Sequence, residues 1–181
     1  MATILEEPSR LNRLANLLKQ KNESAGEQIF NHYSKKIFRF FMVRTLDRDA
    51  AEDLTQEVFL KVIDRIGSFD EQKGNFSSWF WQIARNTAKD YYQEKAKKSI
   101  PLSQIKIEPE EKRNWLSVVE FNEVMDMVKK FSPEEQELFS LRYVSDVPYK
   151  ELSDITGKPE GTLRVLVHRL NQKIRKKHNG Q

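Results

Sequence analysis

The C-terminal part of the chain is rich in side chains that bind polyanions. Between Lys158 and Lys177 seven residues are basic and one, Glu160, is acidic. The formal net charge of the whole chain is only +4, so this basic block of helix length is a local feature. It indicates a nucleic acid or another polyanion as partner. Charge alone is equally consistent with a solvated C-terminal tail.

The basic block lies in a pattern typical of a helix-turn-helix, "PYKELSDITGKPEGTLRVLVHRLNQKIRK". Gly157 fits a left-handed C-cap, and Pro159 fits the first turn of the second helix. Apolar side chains fill the inner stripe of that helix, so its outward face carries Arg164, Val165, His168, Arg169 and Gln172. Arg can pair with guanine, Gln with adenine, and an apolar side chain can touch a thymine methyl. The pattern favours DNA binding, although helical hairpins also occur without nucleic acid.

A second candidate surface lies in "GNFSSWFWQIARN", residues 74–86. At helical spacing Phe76, Trp79 and Phe80 share one face and are expected in the core. The same spacing puts Trp81 on the opposite face, with Arg85 and Lys89. Aromatic rings interleaved with cations hold unpaired nucleic-acid strands. The alternative is an exposed Trp that its neighbours or the other domain cover.

A third candidate surface lies on the preceding helix, "DAAEDLTQEVFLKVIDRI". Its apolar stripe runs through Ala51, Leu54, Val58, Phe59, Val62 and Ile66. Leu60 points away from this stripe, among Asp53, Gln56 and Glu57. An apolar centre with a polar rim resembles a small protein-docking patch. A single exposed Leu is also ordinary on a protein surface.

The elements that must position these surfaces are all helices. Apolar residues recur at helical spacing, no strand pattern of alternation appears, and Ser132 with Glu135 forms a capping-box sequence. Two prolines and mixed charges interrupt this rhythm in "EKAKKSIPLSQIKIEPEEKRN". We therefore predict an all-α protein of two small helical domains, residues 1–95 and 115–181, joined by a flexible linker at 96–114.

Composition argues against several other classes of protein. The chain has no cysteine and no apolar run long enough for a membrane span. It has no phosphate-binding Gly-rich loop and no HExxH motif, and its three histidines are scattered. We therefore expect a cytoplasmic protein without enzymatic activity, metal or cofactor.

Taken together, these stretches resemble the extracytoplasmic-function (ECF) subfamily of bacterial sigma factors. The segment "DAAEDLTQEVFLKVI" is similar to conserved region 2.2, and "NFSSWFWQIARNTAKDYY" to regions 2.3 and 2.4. The segment from "FSPEEQELF" to "GTLRVLVHRL" is similar to region 4, including the Gly-Thr that opens the recognition helix. The resemblance covers about residues 25–95 and 115–176, in the family's order.

The resemblance implies a role for each surface. The face of Asp53, Gln56, Glu57 and Leu60 would dock on the clamp helices of the largest RNA polymerase subunit. The loop around Phe69–Asn75 and the next helix would hold the −10 promoter strand, through Asn75, Trp81, Arg85, Asn86 and Lys89. The residues Arg164, Val165, His168, Arg169 and Gln172 would read the −35 element. The flap of the second-largest subunit is a further implied partner, and an anti-sigma factor is left open.

The recognition helix departs from the family pattern at two positions. Family members usually carry Ser at the position of Val165 and Arg at the position of Leu166. Whether this chain prefers the family's usual −35 sequence is therefore left open. The rival interpretation is a helix-turn-helix repressor or activator with an N-terminal helical sensor domain. That interpretation explains the C-terminal half equally well, but it predicts a ligand cavity or a dimer face in residues 1–95.

Overall fold

The computed structural model describes residues 7–97 and 126–178, and every regular element in these ranges is helical. The helices are α1 Glu7–Lys19, α2 Glu23–Thr45, α3 Arg48–Arg65, α4 Phe76–Lys97, α5 Pro133–Phe139, α6 Tyr149–Thr156 and α7 Glu160–His178. A 3₁₀ turn, Ile66–Ser68, follows α3, and α5 continues into a π turn, Ser140–Val144. The predicted all-α fold is confirmed. Most of the predicted linker lies outside the described residues.

Packing divides the described residues into two compact units. The first comprises residues 7–38 and 52–97, and the second comprises residues 39–51 and 126–178. Helix α2 contributes residues to both units. The domain boundaries expected from the sequence stay a prediction.

Side-chain caps fix where several helices begin. Asn22 Oδ1 accepts a hydrogen bond from the backbone N of Ala25 at 3.0 Å, and Asp47 Oδ1 accepts one from Ala50 at 3.1 Å. Ser132 and Glu135 form the predicted capping box at the start of α5. Such caps satisfy backbone N–H groups that the first turn of a helix leaves without partners.

Aromatic side chains fill the core of the first unit where α2 meets α4. The ring of Tyr33 stacks on that of Phe80 with centroids 3.9 Å apart, and Trp81 stands edge-on to Tyr33 at 6.4 Å. Helix α1 packs against α4 and buries Leu11, Leu14 and Ala15. The first two turns of α4 are therefore enclosed by more than one neighbouring element.

The prediction that Trp81 faces outward is wrong. Its side chain is 1% exposed, whereas Trp79, which was predicted to lie in the core, is only half-buried. A helix that packs against a single neighbour buries one stripe, but α4 also buries Ser77 and Ser78 in its first turn. The ring of Trp81 packs edge-on against Tyr33 of α2 and against Phe80, so α4 buries side chains beyond the single stripe on which the prediction depended.

The helix-turn-helix lies in the second unit, where α6 packs against α7. The pair buries Leu152, Ile155, Leu163, Val167 and Leu170. Gly157 ends α6 in the left-handed conformation, at φ 71°, which confirms the predicted cap. Leu170 also joins Val128, Phe131 and Phe139 in a hydrophobic cluster of this unit.

Candidate functional site

The outward face of α7 carries all the side chains that were predicted to read a DNA duplex. Arg164, His168, Arg169 and Gln172 are exposed, and Val165 is 51% exposed. The opposite stripe, with Leu163, Val167 and Leu170, is buried against the rest of the unit. The five side chains thus share one accessible, basic helix face. The bases that they contact stay a prediction.

Two local pairs order the side chains on this face. The Arg164 guanidinium reaches Glu160 one turn earlier at 3.3 Å and also lies over the ring of Tyr149 in α6. The side-chain amide of Gln172 donates to Nε2 of His168 at 3.0 Å. This bond orients both side chains and occupies one amide N–H of Gln172 and Nε2 of His168, while the amide oxygen of Gln172 and Nδ1 of His168 take no part in it.

Polar contacts also fix α7 relative to α5. Lys173 donates to the carboxylate of Glu135, and Lys158, in the turn before α7, pairs with Glu134 at 3.0 Å. The hydrogen bond from Lys173 and the capping bonds at Ser132 hold the pKa of Glu135 below its usual value, against the opposing effect of partial burial. The capping box could be read from the sequence, whereas the link to Lys173 joins residues too far apart for local reasoning.

The outward face of α3 carries the predicted docking residues. Asp53, Gln56 and Glu57 are exposed, and Leu60 is 67% exposed. The accessibility expected for this patch is thus present. Whether polymerase binds there stays a prediction.

The apolar part of this surface is larger than the sequence suggested. Ile63 is 61% exposed and Phe30, on α2, is 50% exposed. With Phe38, Phe59 and Leu60 they line an open groove between α2 and α3, with a volume of ≈ 460 Å³. Its rim includes Glu52, Thr55 and Gln56. We call this surface the α3 groove. Ile63 lies three residues after Leu60, on the same side of the helix, and that spacing was the missed signal.

Lys61 joins the α3 surface to α4. Its ammonium pairs with Glu57 at 2.6 Å, donates to Thr87 Oγ1 at 3.1 Å and lies 3.7 Å from the Asp90 carboxylate. Glu57, one of the predicted docking carboxylates, therefore pairs with a lysine of its own helix, and α4 holds that lysine in place. Sequence reasoning missed this contact, because Lys61 and Thr87 are on different helices.

The loop of residues 69–75 joins the 3₁₀ turn to α4. Phe69 anchors its start, buried edge-on against Phe76 with ring centroids 5.5 Å apart. Asn75 ends it as the N-cap of α4, where its Oδ1 accepts from the backbone N of Ser78 at 2.7 Å. This capping bond occupies the side-chain oxygen of Asn75, which is one of the atoms that could contact a base. Residues 71–74 form the exposed tip.

The remaining predicted strand-binding residues lie further along α4. Asn86 and Lys89 are exposed, and Arg85 is half-buried. Trp81, in contrast, is buried.

No group of three His, Asp or Glu side chains in residues 7–97 and 126–178 could hold a metal ion. Within the same ranges, no helix has the length and apolar character that crossing a membrane requires.

Comparison with known proteins assigns the chain to a family. The family models for Sigma-70 region 2 and for Sigma-70, region 4 match residues 29–98 and 121–174. The chain belongs to the ECF group of the sigma-70 family. It is 26% identical over 168 residues to the ECF RNA polymerase sigma factor BldN of Streptomyces coelicolor, covering 89% of this chain and 63% of that protein. It is 29% identical over 157 residues to SigM of Bacillus subtilis, covering 84% and 94%.

A solved structure of the same family has a similar fold. The sigma factor RpoE of Bartonella quintana, in complex with the anti-sigma factor NepR, matches with a TM-score of 0.68 at 20% identity, covering 83% of this chain and 94% of that one. The region 2 family model matches residues 29–98, which lie in the half of the chain where the rival interpretation required a sensor domain. The family of this sigma factor therefore favours transcription initiation over repression.

Proposed function

We propose that this sigma factor binds the RNA polymerase core and directs it to promoters with particular −35 and −10 elements, where it aids melting. The observation that carries the proposal is that one chain of this family has both an exposed basic recognition helix and an exposed apolar groove with a polar rim. The protein acts by binding rather than by catalysis. Its place of action is the cytoplasm, at the nucleoid.

The α3 groove and the adjoining residues Asp53, Gln56, Glu57 and Leu60 form the docking surface for the clamp helices of the largest polymerase subunit. Exposed apolar surface surrounded by polar residues is typical of a protein interface. The groove adds Phe30 and Ile63 to the side chains that such a partner would cover. The carboxylates on the rim suit a basic or amide-rich partner surface.

The −10 strand is held by the loop of residues 69–75 together with Arg85, Asn86 and Lys89. An exposed loop tip and accessible cations on the helix that follows it suit a single strand, whose bases and phosphates are both accessible. Asn75 belongs to this surface because it ends the loop, and its side-chain oxygen caps α4. Trp81 is left out because its ring lies in the core.

The −35 element is read by α7, through Arg164, Val165, His168, Arg169 and Gln172. An exposed helix face of this kind fits the major groove and places several side chains against base edges. The flap of the second-largest polymerase subunit would hold the C-terminal unit at the −35 element. An anti-sigma factor is a further candidate partner, because a solved relative was captured with one.

Run-off transcription tests the proposal. Bacterial core polymerase is supplied with a pool of promoter templates, with this protein and without it. We expect specific transcripts only when the protein is present, and their loss with Leu60→Asp. Absence of protein-dependent transcripts, together with tight binding of the protein alone to duplex DNA, would instead support a repressor.

A further inference from the structure

One face of α1 is directed at the loop of residues 69–75. Asn12, Asn16 and Lys19 follow the spacing i, i+4, i+7, which places them on one side of the helix. This helix precedes residues 29–98, which match the region 2 family model. The family match therefore says nothing about what α1 does.

Two of these three side chains contact the loop itself, and the third contacts the residue directly after it. Lys19 donates to the carbonyl oxygen of Phe69 at its start, and its ammonium lies 5.1 Å from the centre of that ring. Asn16 donates from Nδ2 to the Glu71 carboxylate at 3.1 Å. Asn12 Oδ1 accepts from the backbone N of Phe76, directly after the loop, at 2.8 Å. The contacts thus run along the loop from its start to its end.

The loop has little internal structure to define its path. Asp70 closes one tight turn, accepting from the backbone N of Gln72 at 3.0 Å through its side chain and from Lys73 at 3.0 Å through its carbonyl. Asn75 caps the helix that follows. Ordering a loop costs conformational entropy at every residue, so contacts from outside decide how narrowly its conformations are distributed. Helix α1 supplies two such contacts and a third to Phe76, where the loop ends.

We propose that the polar face of α1, formed by Asn12, Asn16 and Lys19, is the positioning element that gives the loop its strand-reading shape. This inference rests on the proposed function, because it concerns the loop that is assigned to the −10 strand. These residues act through the loop rather than on DNA. Their consequence is discrimination among −10 sequences, since a loop that samples several conformations contacts right and wrong bases more equally.

The two contacts nearest to solvent can be removed without opening the core. Asn16 is half-buried and Lys19 is exposed, whereas the apolar side of α1 is formed by Leu11, Leu14 and Ala15. The test variant is therefore Asn16→Ala/Lys19→Ala, with the single variant Asn16→Ala as a milder form. The matched control is Arg10→Ala, an exposed cation of the same helix. Lys19→Arg serves as the conservative variant, because it keeps a charged donor.

The experiment is transcription by reconstituted holoenzyme from a promoter library randomised across the −10 element. We expect Asn16→Ala/Lys19→Ala to lower the ratio between preferred and substituted −10 sequences by about three- to tenfold, the scale of one lost net hydrogen bond. Asn16→Ala should show a smaller change in the same direction. Arg10→Ala and Lys19→Arg should keep the original profile. Core binding and the −35 profile should be unchanged in all four.

Two results would overturn the inference. One is an unchanged −10 profile in both alanine variants. The other is an equal loss of transcription from every −10 sequence, which is what a purely structural role for α1 produces. If the unsubstituted protein supports no transcription with core polymerase, the proposed function itself has failed, and that result is distinct from either.

Discussion

The guanidinium carbon of Arg164 lies 4.4 Å from the centre of the Tyr149 ring. The guanidinium of Arg142 lies over the same ring at 5.1 Å and pairs with Asp146 at 2.9 Å. Tyr149 is therefore a common contact for a recognition-helix arginine and for an arginine of the π turn. Its ring restricts where the Arg164 side chain can go before DNA arrives.

Replacing Tyr149 separates the effect of the ring from that of its hydroxyl. Tyr149→Leu should weaken −35-dependent promoter binding by the holoenzyme by about two- to fivefold, because Arg164 loses a cation–π contact that orders it. Tyr149→Phe keeps the aromatic face and should bind as the unsubstituted protein does. Fluorescence anisotropy with a labelled promoter measures both. Equal loss in the two variants would show that the hydroxyl is what matters.

Leu60→Asp should weaken binding to core polymerase by one to several kcal/mol, the scale of an interface hot spot. Its helix content and melting temperature should stay nearly unchanged, because Leu60 is 67% exposed. Ile63→Asp should act in the same direction if the whole α3 groove is covered. Val165→Asp, an exposed apolar position on α7, is the matched control. Undiminished co-purification of Leu60→Asp with core would exclude this face as the docking surface.

The buried ring of Trp81 predicts a large effect on stability. Trp81→Ala should lower the free energy of unfolding by about 3–5 kcal/mol, the usual cost of removing a fully buried aromatic side chain. Trp79→Ala should cost clearly less, because Trp79 is half-buried and packs mainly on Phe69 and Phe76. Urea denaturation followed by circular dichroism compares the two. A larger loss for Trp79→Ala would restore the assignment made from the sequence.

Glu135 predicts a pH-dependent contribution to stability. Its folded pKa is lowered from 4.5, so its charged form stabilises the fold above that value, and the stabilisation is lost as pH falls through the lower folded pKa. Glu135→Gln keeps a side-chain oxygen for the capping box but loses the charge that faces Lys173, so it should cost about 0.5–1 kcal/mol at pH 7 and little in strong acid. Glu134→Gln, which removes an exposed pair with Lys158, should cost less at pH 7. Thermal melts between pH 3 and 7 measure this loss of stability. A loss that does not change with pH would contradict this account.

Val165 predicts an apolar contact within the −35 element. Its side chain has no hydrogen-bonding group, so a thymine methyl is the base feature that it suits best. Val165→Ser should change the preferred base at one −35 position, with little change in affinity or salt dependence. Arg169→Ala should cost about 1–3 kcal/mol if Arg169 reads a base, or flatten the salt slope if it holds a phosphate. Transcription from a library randomised across −35 measures the base preferences, and the salt dependence of promoter binding measures a phosphate contact. An unchanged preference profile for Val165→Ser would show that this residue does not read a base.

The local features of the fold could be predicted from the sequence, and the tertiary ones only in part. Gly157, Ser132 and the exposed face of α7 depend on neighbours within one or two turns, so spacing was sufficient. Trp81 depends on what surrounds α4, and a helical wheel assumes a single packing partner. The wheel predicted the burial of Phe76 and Phe80 correctly, but not that of Trp79 or Trp81, because it does not include the elements packed against α4.

The same limit explains what was missed at the candidate surfaces. Leu60 was expected to be exposed alone, but Phe30 extends the apolar surface from a different helix. Asn75 was expected to contact the −10 strand, and the structure shows that its side-chain oxygen also accepts a hydrogen bond from the backbone of α4. The three α1 contacts with the loop join residues more than fifty positions apart in two cases, Asn16 to Glu71 and Asn12 to Phe76. Sequence spacing cannot reveal such pairs.

The α3 groove also affects how the free protein behaves in solution. Phe30, Leu60 and Ile63 expose apolar area to water, and such area favours self-association as concentration rises. Any molecule that covers the groove removes this tendency, so solubility depends on the ratio of this chain to its partners. Overproduction without a partner then carries a cost in aggregation, and the surface that makes the protein useful also limits how much of it can remain unbound.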